Sequence, residues 1–167
     1  MRAAFSALAI AVTASPAPAS TPTLLWQGAA KLAVVCLVQA DDAAPHRARF
    51  EADLCRRIAA LAARGAPGPV VIGDLATAAS PAPDTVVLLV QAATSSVSGK
   101  RVLVFAIRPH RVSEDQAATL FGSTPRVVPL ASSLTATPAL DAAISSALAE
   151  LLPWQQAPLS ARPIPRL

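Results

Sequence analysis

Two cysteines, two histidines and a group of cations near residue 110 are the side chains of this chain with chemistry to offer. Cys36 and Cys55 both fall within LAVVCLVQADDAAPHRARFEADLCRRIAAL, residues 32–61. A zinc site wants four Cys or His ligands at short, characteristic spacings. Here two cysteines are separated by 18 residues, and His46 and His110 stand far from any C-x-x-C, so no metal site is implied. A redox-active pair is usually close in sequence, near a helix start, with its nucleophile exposed. This pair is neither. What remains is a structural disulfide between Cys36 and Cys55 formed in an oxidising compartment, or, alternatively, two buried thiols acting as small core residues.

His46 and His110 each neighbour arginines, which favours the neutral imidazole and so a base. A base needs a positioned nucleophile and an orienting carboxylate. The chain has no G-x-S-x-G, no H-E-x-x-H, no glycine-rich phosphate loop and no paired-carboxylate motif, and only six glycines in all. Both histidines therefore read as solvated loop residues. No catalytic residue is assigned and no cofactor is implied. Arg108, His110 and Arg111, with Glu114 or Asp115, are the candidate contacts for a small ligand, in a pocket lined by the loop 108–125. Lys100 and Arg101 cannot join them, because Arg101 and Arg108 mark opposite ends of one strand, roughly 23 Å apart at about 3.3 Å per residue.

The elements that must position these residues follow from hydrophobic periodicity. KLAVVCLVQ, residues 31–39, is a Val-rich continuous apolar run, the pattern of a strand buried on both faces. Asp42 and Pro45 then supply a cap and a first-turn proline for a helix that runs to Arg64 and stops at Gly65. On a 3.6-residue wheel Phe50, Leu54, Ile58 and Leu61 share a face, Cys55 continues that arc inward, and Asp53 and Arg57 can pair on the wet side. GPVVIGD at residues 68–74 is a short strand, and LATAASPAP reads as loop.

TVVLLVQAA (85–93) and RVLVFAIR (101–108) form a hairpin joined by TSSVSGK and ended by Pro109, and RVVPL (126–130) is a short edge strand because Pro129 cannot donate a ladder bond. Thr137-Pro138 caps a closing helix with Leu140, Ile144, Leu148 and Leu151 on one face, terminated by Pro153. The order β-α-β-β-β-(β)-α predicts an α/β sandwich: one mixed sheet of four to five strands with two main helices.

Organisation and charge narrow the setting. MRAAFSALAIAVTASPAPAS has one cation at Arg2, an apolar stretch and the A-x-A pattern at Ala17-Pro18-Ala19, the layout of a signal peptide over residues 1–19. Residues 20–30 are a lead-in, 31–153 a single domain and 154–167 a proline-rich tail. No stretch approaches the roughly 20 apolar residues a membrane span needs, and Cys36, inside a strand, is misplaced for a lipid anchor. The chain carries +4, or +3 without the leader (13 Lys and Arg against 10 Asp and Glu). Its cations are dispersed and it has no tyrosine, which disfavours nucleic-acid binding.

The arrangement of LAVVCLV, the helix ending at Gly65 and the hairpin TVVLLVQAATSSVSGKRVLVFAIR resembles the small α/β domain at the amino terminus of the Tol-system β-propeller proteins, and related envelope-assembly accessory domains. It covers about Leu32 to Leu152, with no propeller repeat following. The resemblance implies protein recognition rather than catalysis and transfers no functional residue. The strand runs themselves are apolar at odd and even positions alike, so both sheet faces expect cover. If both helices take one face, a second copy or another envelope protein covers the other, with the tail carrying Trp154, Ile164 and Leu167 as the competing cover. The expectation is a periplasmic or secreted binding or assembly module, the alternative being a ligand-binding protein or enzyme using the loop 108–125.

Overall fold

In the computed structural model, which describes residues 23–40, 44–111, 122–130 and 137–156, the valine-rich runs become the interior of one mixed sheet. A single turn of helix, α1 (Thr23–Trp26), leads into β1 (Lys31–Gln39), α2 (Ala44–Ala62), β2 (Val70–Ile72), α3 (Leu75–Ala79), β3 (Thr85–Val97), β4 (Lys100–His110), β5 (Arg126–Pro129) and α4 (Pro138–Leu151), followed by a 3-10 turn at Pro153–Gln155. The sheet order is β2-β1-β3-β4-β5. β1 runs parallel to both neighbours, while β3–β4 and β4–β5 are antiparallel. The fold is therefore the mixed α/β arrangement that the periodicity predicts.

One face of the sheet carries the core. Leu32, Val34, Cys36 and Val38 of β1 alternate toward it, with Val86, Leu88 and Val90 of β3 and Leu103, Phe105 and Ile107 of β4. Both long helices pack there. α2 buries Phe50, Leu54, Cys55, Ile58 and Leu61, the face expected of it, and α4 buries Leu140, Ile144, Leu148 and Leu151. Thr137 caps α4 by accepting from the Leu140 N–H at 3.2 Å, with Pro138 in the first turn. β2 is short, so among the described residues no strand lines the outer edge of β1 beyond Val34, and Glu51 of α2 satisfies the Val38 N–H at 3.1 Å. Arg126 of β5 pairs with Glu150 of α4, whose other oxygen accepts from the Thr124 N–H at 2.7 Å.

Four local expectations change. The stretch after Asp74 is not all loop: α3 is held by a capping box in which the Asp74 carboxylate accepts from the Thr77 N–H and hydroxyl, both at 2.8 Å. Those bonds hold the Asp74 carboxyl below the usual carboxylate range. A five-residue helix is too short to show a 3.6 period. The hairpin connection is two residues, not seven, because Thr94 to Val97 continue the ladder opposite Lys100 to Leu103 and only Ser98 (φ 51°) and Gly99 (φ 74°) turn. Two successive left-handed residues are the type I′ signature, which lets polar Ser and Thr positions stay in strand.

Pro109 lies inside β4, opposite Leu88. Ile107 donates its N–H to Ser123 Oγ and accepts from the Ser123 N–H, so the nitrogen of Pro109, two positions on, lies on that same side, away from β3, where among the described residues no ladder bond calls for a donor. Finally, Asp53 pairs with Arg56 rather than Arg57, whose guanidinium reaches Asp141 on α4 at 2.6 Å because Arg57 stands at the seam between the helices.

Candidate functional site

Cys36 on β1 and Cys55 on α2 are bonded, with Cα atoms 5.8 Å apart and both residues buried. The bond ties the first strand to the helix that covers it. Buried in an apolar layer, it is a staple rather than a reactive centre.

Among the described residues, Arg111 does not join Arg108 and His110. Arg108 and His110 alternate onto the sheet face opposite the long helices, Arg108 exposed and His110 half-buried. Arg111 turns elsewhere and donates to three backbone carbonyls: Pro83 at 2.9 Å, Leu25 at 3.1 Å and Gln27. It clamps the segment before β1 to the loop before β3, so its donors serve the fold. Glu114 and Asp115, with most of the loop 108–125, lie outside the described residues. Lys100 is exposed beside the hairpin turn, away from Arg108. His46 is exposed in the first turns of α2. Among the described residues no group of three or more His, Cys, Asp or Glu is placed to hold a metal, and no helix is long and apolar enough to cross a membrane.

The second sheet face is graded, which corrects the expectation of uniform apolarity. At the start of β1 and β3, Ala33, Val35 and Val87 are fully buried beneath Ala78 of α3. Farther along, the same face carries Leu37, Leu89, Ala93, Val104 and Ala106, all half-buried, interrupted by exposed Gln39 and Gln91. A depression of about 400 Å³ runs across this region between β1 and β4. At its margin Val127 of β5 is 65% exposed. A five-residue helix thus covers one end of the face, and among the described residues nothing covers the other.

A second feature lies at the opposite end of the molecule, on the helix side. Trp26 and Trp154 meet edge to face, ring centres 5.2 Å apart and planes at 82°. Trp154 Nε1–H donates to the Ala62 carbonyl at 3.2 Å and Gln155 Nε2–H to Leu61 at 2.8 Å, so the residues read from sequence as the start of the tail satisfy the open carbonyls of α2. Between the indoles, Ala29, Leu32, Pro67 and Pro153 lies a cavity of about 220 Å³. Gly68 shapes its wall by close approach, since a Cβ there would sit 2.4 Å from the Ala30 carbonyl oxygen. The Trp26 indole nitrogen is buried and unpaired among the described residues. Sequence reading passed over this cavity. The available signal was that the chain's two tryptophans flank the domain at either end.

No protein-family model matches the chain, and no curated protein matches it. Among solved structures, the chain is similar to the PelC dodecamer from Paraburkholderia phytofirmans, at 17% identity and a TM-score of 0.42, covering 78% of this chain and 91% of that one. A substituted form of the same dodecamer in another crystal form gives the same values. A TM-score of 0.42 is too low for the likeness to carry a functional conclusion.

Proposed function

We propose that this chain is an exported, non-catalytic module of the cell envelope that acts by protein–protein contact through the open part of its second sheet face. The observation that carries the reading is the graded face: Leu37, Leu89, Val104 and Val127 stand on a strand surface that the helices leave bare, and exposed apolar area of this kind marks an interface. The interspersed Gln39 and Gln91 suit a surface that meets water before it meets a partner. The occupant is a second copy of the chain or another envelope protein. Export, periplasmic or secreted, is part of the proposal, supported by the leader pattern and by a Cys36–Cys55 bond of the kind that persists in oxidising compartments. So is kinship in element order with the amino-terminal domain of the Tol-system β-propeller proteins.

The test is sedimentation velocity of the chain across a concentration series, wild type beside Val104→Glu. Val104 is half-buried on the open face, so a carboxylate there reaches water in the free protein and is desolvated in an interface. Concentration-dependent association that the variant loses, with unchanged circular dichroism, supports self-contact. Association that persists in the variant, or a wild type that stays monomeric and binds no apolar dye at this face, overturns the reading.

A further inference from the structure

Arg47, Arg49, Arg56, Arg57 and Arg64 lie in α2 or just past its end, together with two acids, Glu51 and Asp53. Five cations against two anions leave +3, the whole net charge of the chain without its leader, so the ionic groups elsewhere cancel. Dispersed in sequence, the arginines are gathered by the helix. Arg49, Arg56 and Arg64 fall within about 80° of one another around its axis, on the side away from the sheet, and all three are exposed. At about 1.5 Å per residue they make a stripe about 22 Å long. We propose that this stripe docks an acidic segment of a partner protein, whose Asp or Glu carboxylates pair with Arg49, Arg56 and Arg64.

The anions close to the stripe are already committed. Glu51 turns inward to the Val38 N–H at 3.1 Å, and Asp141 of α4 takes Arg57 at 2.6 Å. Arg49 and Arg64 have no partner among the described residues. Arg56 shares Asp53 across one turn, with the two side chains 67% and 58% exposed. An ion pair so open to water contributes little, and a guanidinium with five N–H donors keeps some for a second carboxylate.

The class of anion follows from what stands beside the guanidinium groups. Arginine pairs in bidentate fashion with carboxylate and with phosphate. The other exposed residues on this side of α2 include Ala52, Ala60 and Ala63. The stripe therefore has no aromatic ring on which a nucleic-acid base could stack and no large apolar group to enter a bilayer. Small alanines between long cations instead let a peptide backbone lie close. An extended peptide at about 3.3 Å per residue spans the stripe in about seven residues, and a carboxylate at every third or fourth position meets arginines about 11 Å apart. Because α2 packs on the core side of the sheet, this surface is separate from the open sheet face.

The test titrates the full chain at low ionic strength, where surface charge is screened least, with a glutamate homopeptide of about ten residues, which covers about 33 Å when extended. Backbone amide NMR shifts locate the site and give the affinity. Wild type should bind with shifts concentrated over residues 46–64. Arg49→Gln/Arg64→Gln, which keeps good helix formers at exposed positions, should weaken binding about tenfold or more with unchanged circular dichroism. Lys100→Glu alters net charge by the same two units at the exposed hairpin turn, and should leave the affinity within about twofold, since over that distance its charge is screened. Equal weakening in both variants shows that net charge alone is read, and overturns the proposal. Shifts centred elsewhere, or no binding by wild type, overturn it as well. Tighter binding to phosphatidylglycerol vesicles or to single-stranded RNA, lost in the arginine variant, assigns the stripe to a lipid surface or a nucleic acid and overturns it equally. The open sheet face enters none of these readouts, so self-association there and acidic docking on α2 can fail separately.

Discussion

Removing the Cys36–Cys55 bond is the perturbation whose size follows most directly from the fold. The two cysteines are 19 positions apart in sequence, and they are 7% and 4% exposed. Closing a loop of about 20 residues restricts the unfolded chain by the equivalent of about 3 kcal/mol at 25 °C. The folded state loses little else, because Phe50, Leu54 and Ile58 hold α2 on the sheet independently of the sulfurs. Both cysteines should be replaced by Ala, since a serine hydroxyl left unpaired in this layer would add a penalty of about 1–3 kcal/mol of its own.

A loss of about 3 kcal/mol is a large part of the 5–15 kcal/mol typical of a domain. At about 3–5 °C per kcal/mol for this size, it lowers Tm by about 10–15 °C. Thermal and urea unfolding of Cys36→Ala/Cys55→Ala, beside wild type with and without reductant, measure the effect. The urea m value should rise, because the uncrosslinked chain exposes more surface on unfolding. Thiol counting of exported wild type, denatured without reductant, should find none free. A double variant within about 1 kcal/mol of wild type at unchanged m would refute the reasoning, as the loop-closure contribution would then be missing.

Arg111→Ala should lower stability by about 1–2 kcal/mol through loss of its charge-assisted bonds to backbone carbonyls, and should raise amide exchange selectively at residues 23–31, the segment that Arg111 ties to Pro83. Asp74 gives a pH-dependent signature. Its carboxyl titrates lower in the folded chain than in the unfolded one, so its contribution is present above the unfolded pKa and is lost as pH falls through the folded value. Side-chain NMR titration should find Asp74 below the ordinary carboxylate range in wild type and closer to it in Thr77→Ala, with α3 amides losing protection as Asp74 protonates.

Much of the fold was legible because its signals are local. Continuous Val and Leu runs identify the strands of the sheet, and the 3.6-residue spacing of Phe50, Leu54, Ile58 and Leu61 fixes which way α2 faces, and with it Cys55. Thr137-Pro138 states where α4 begins. Each of these depends on neighbours within a turn or a strand length, so periodicity and capping chemistry suffice to read them.

The candidate sites were less legible, because they are made by groups distant in sequence. Arg111 takes carbonyls 28 and 86 positions away, and no pattern around residue 111 distinguishes that clamp from a ligand contact. Trp154 reaches a carbonyl 92 positions back and meets Trp26 from the other end of the chain. The second sheet face shows the same division. Composition implies that it wants cover, but whether Val87 is sealed while Leu89 is left half-open depends on where five residues of α3 come to rest. Burial is a property of the surface removed by the whole assembly of elements, and only the tertiary structure assigns it residue by residue.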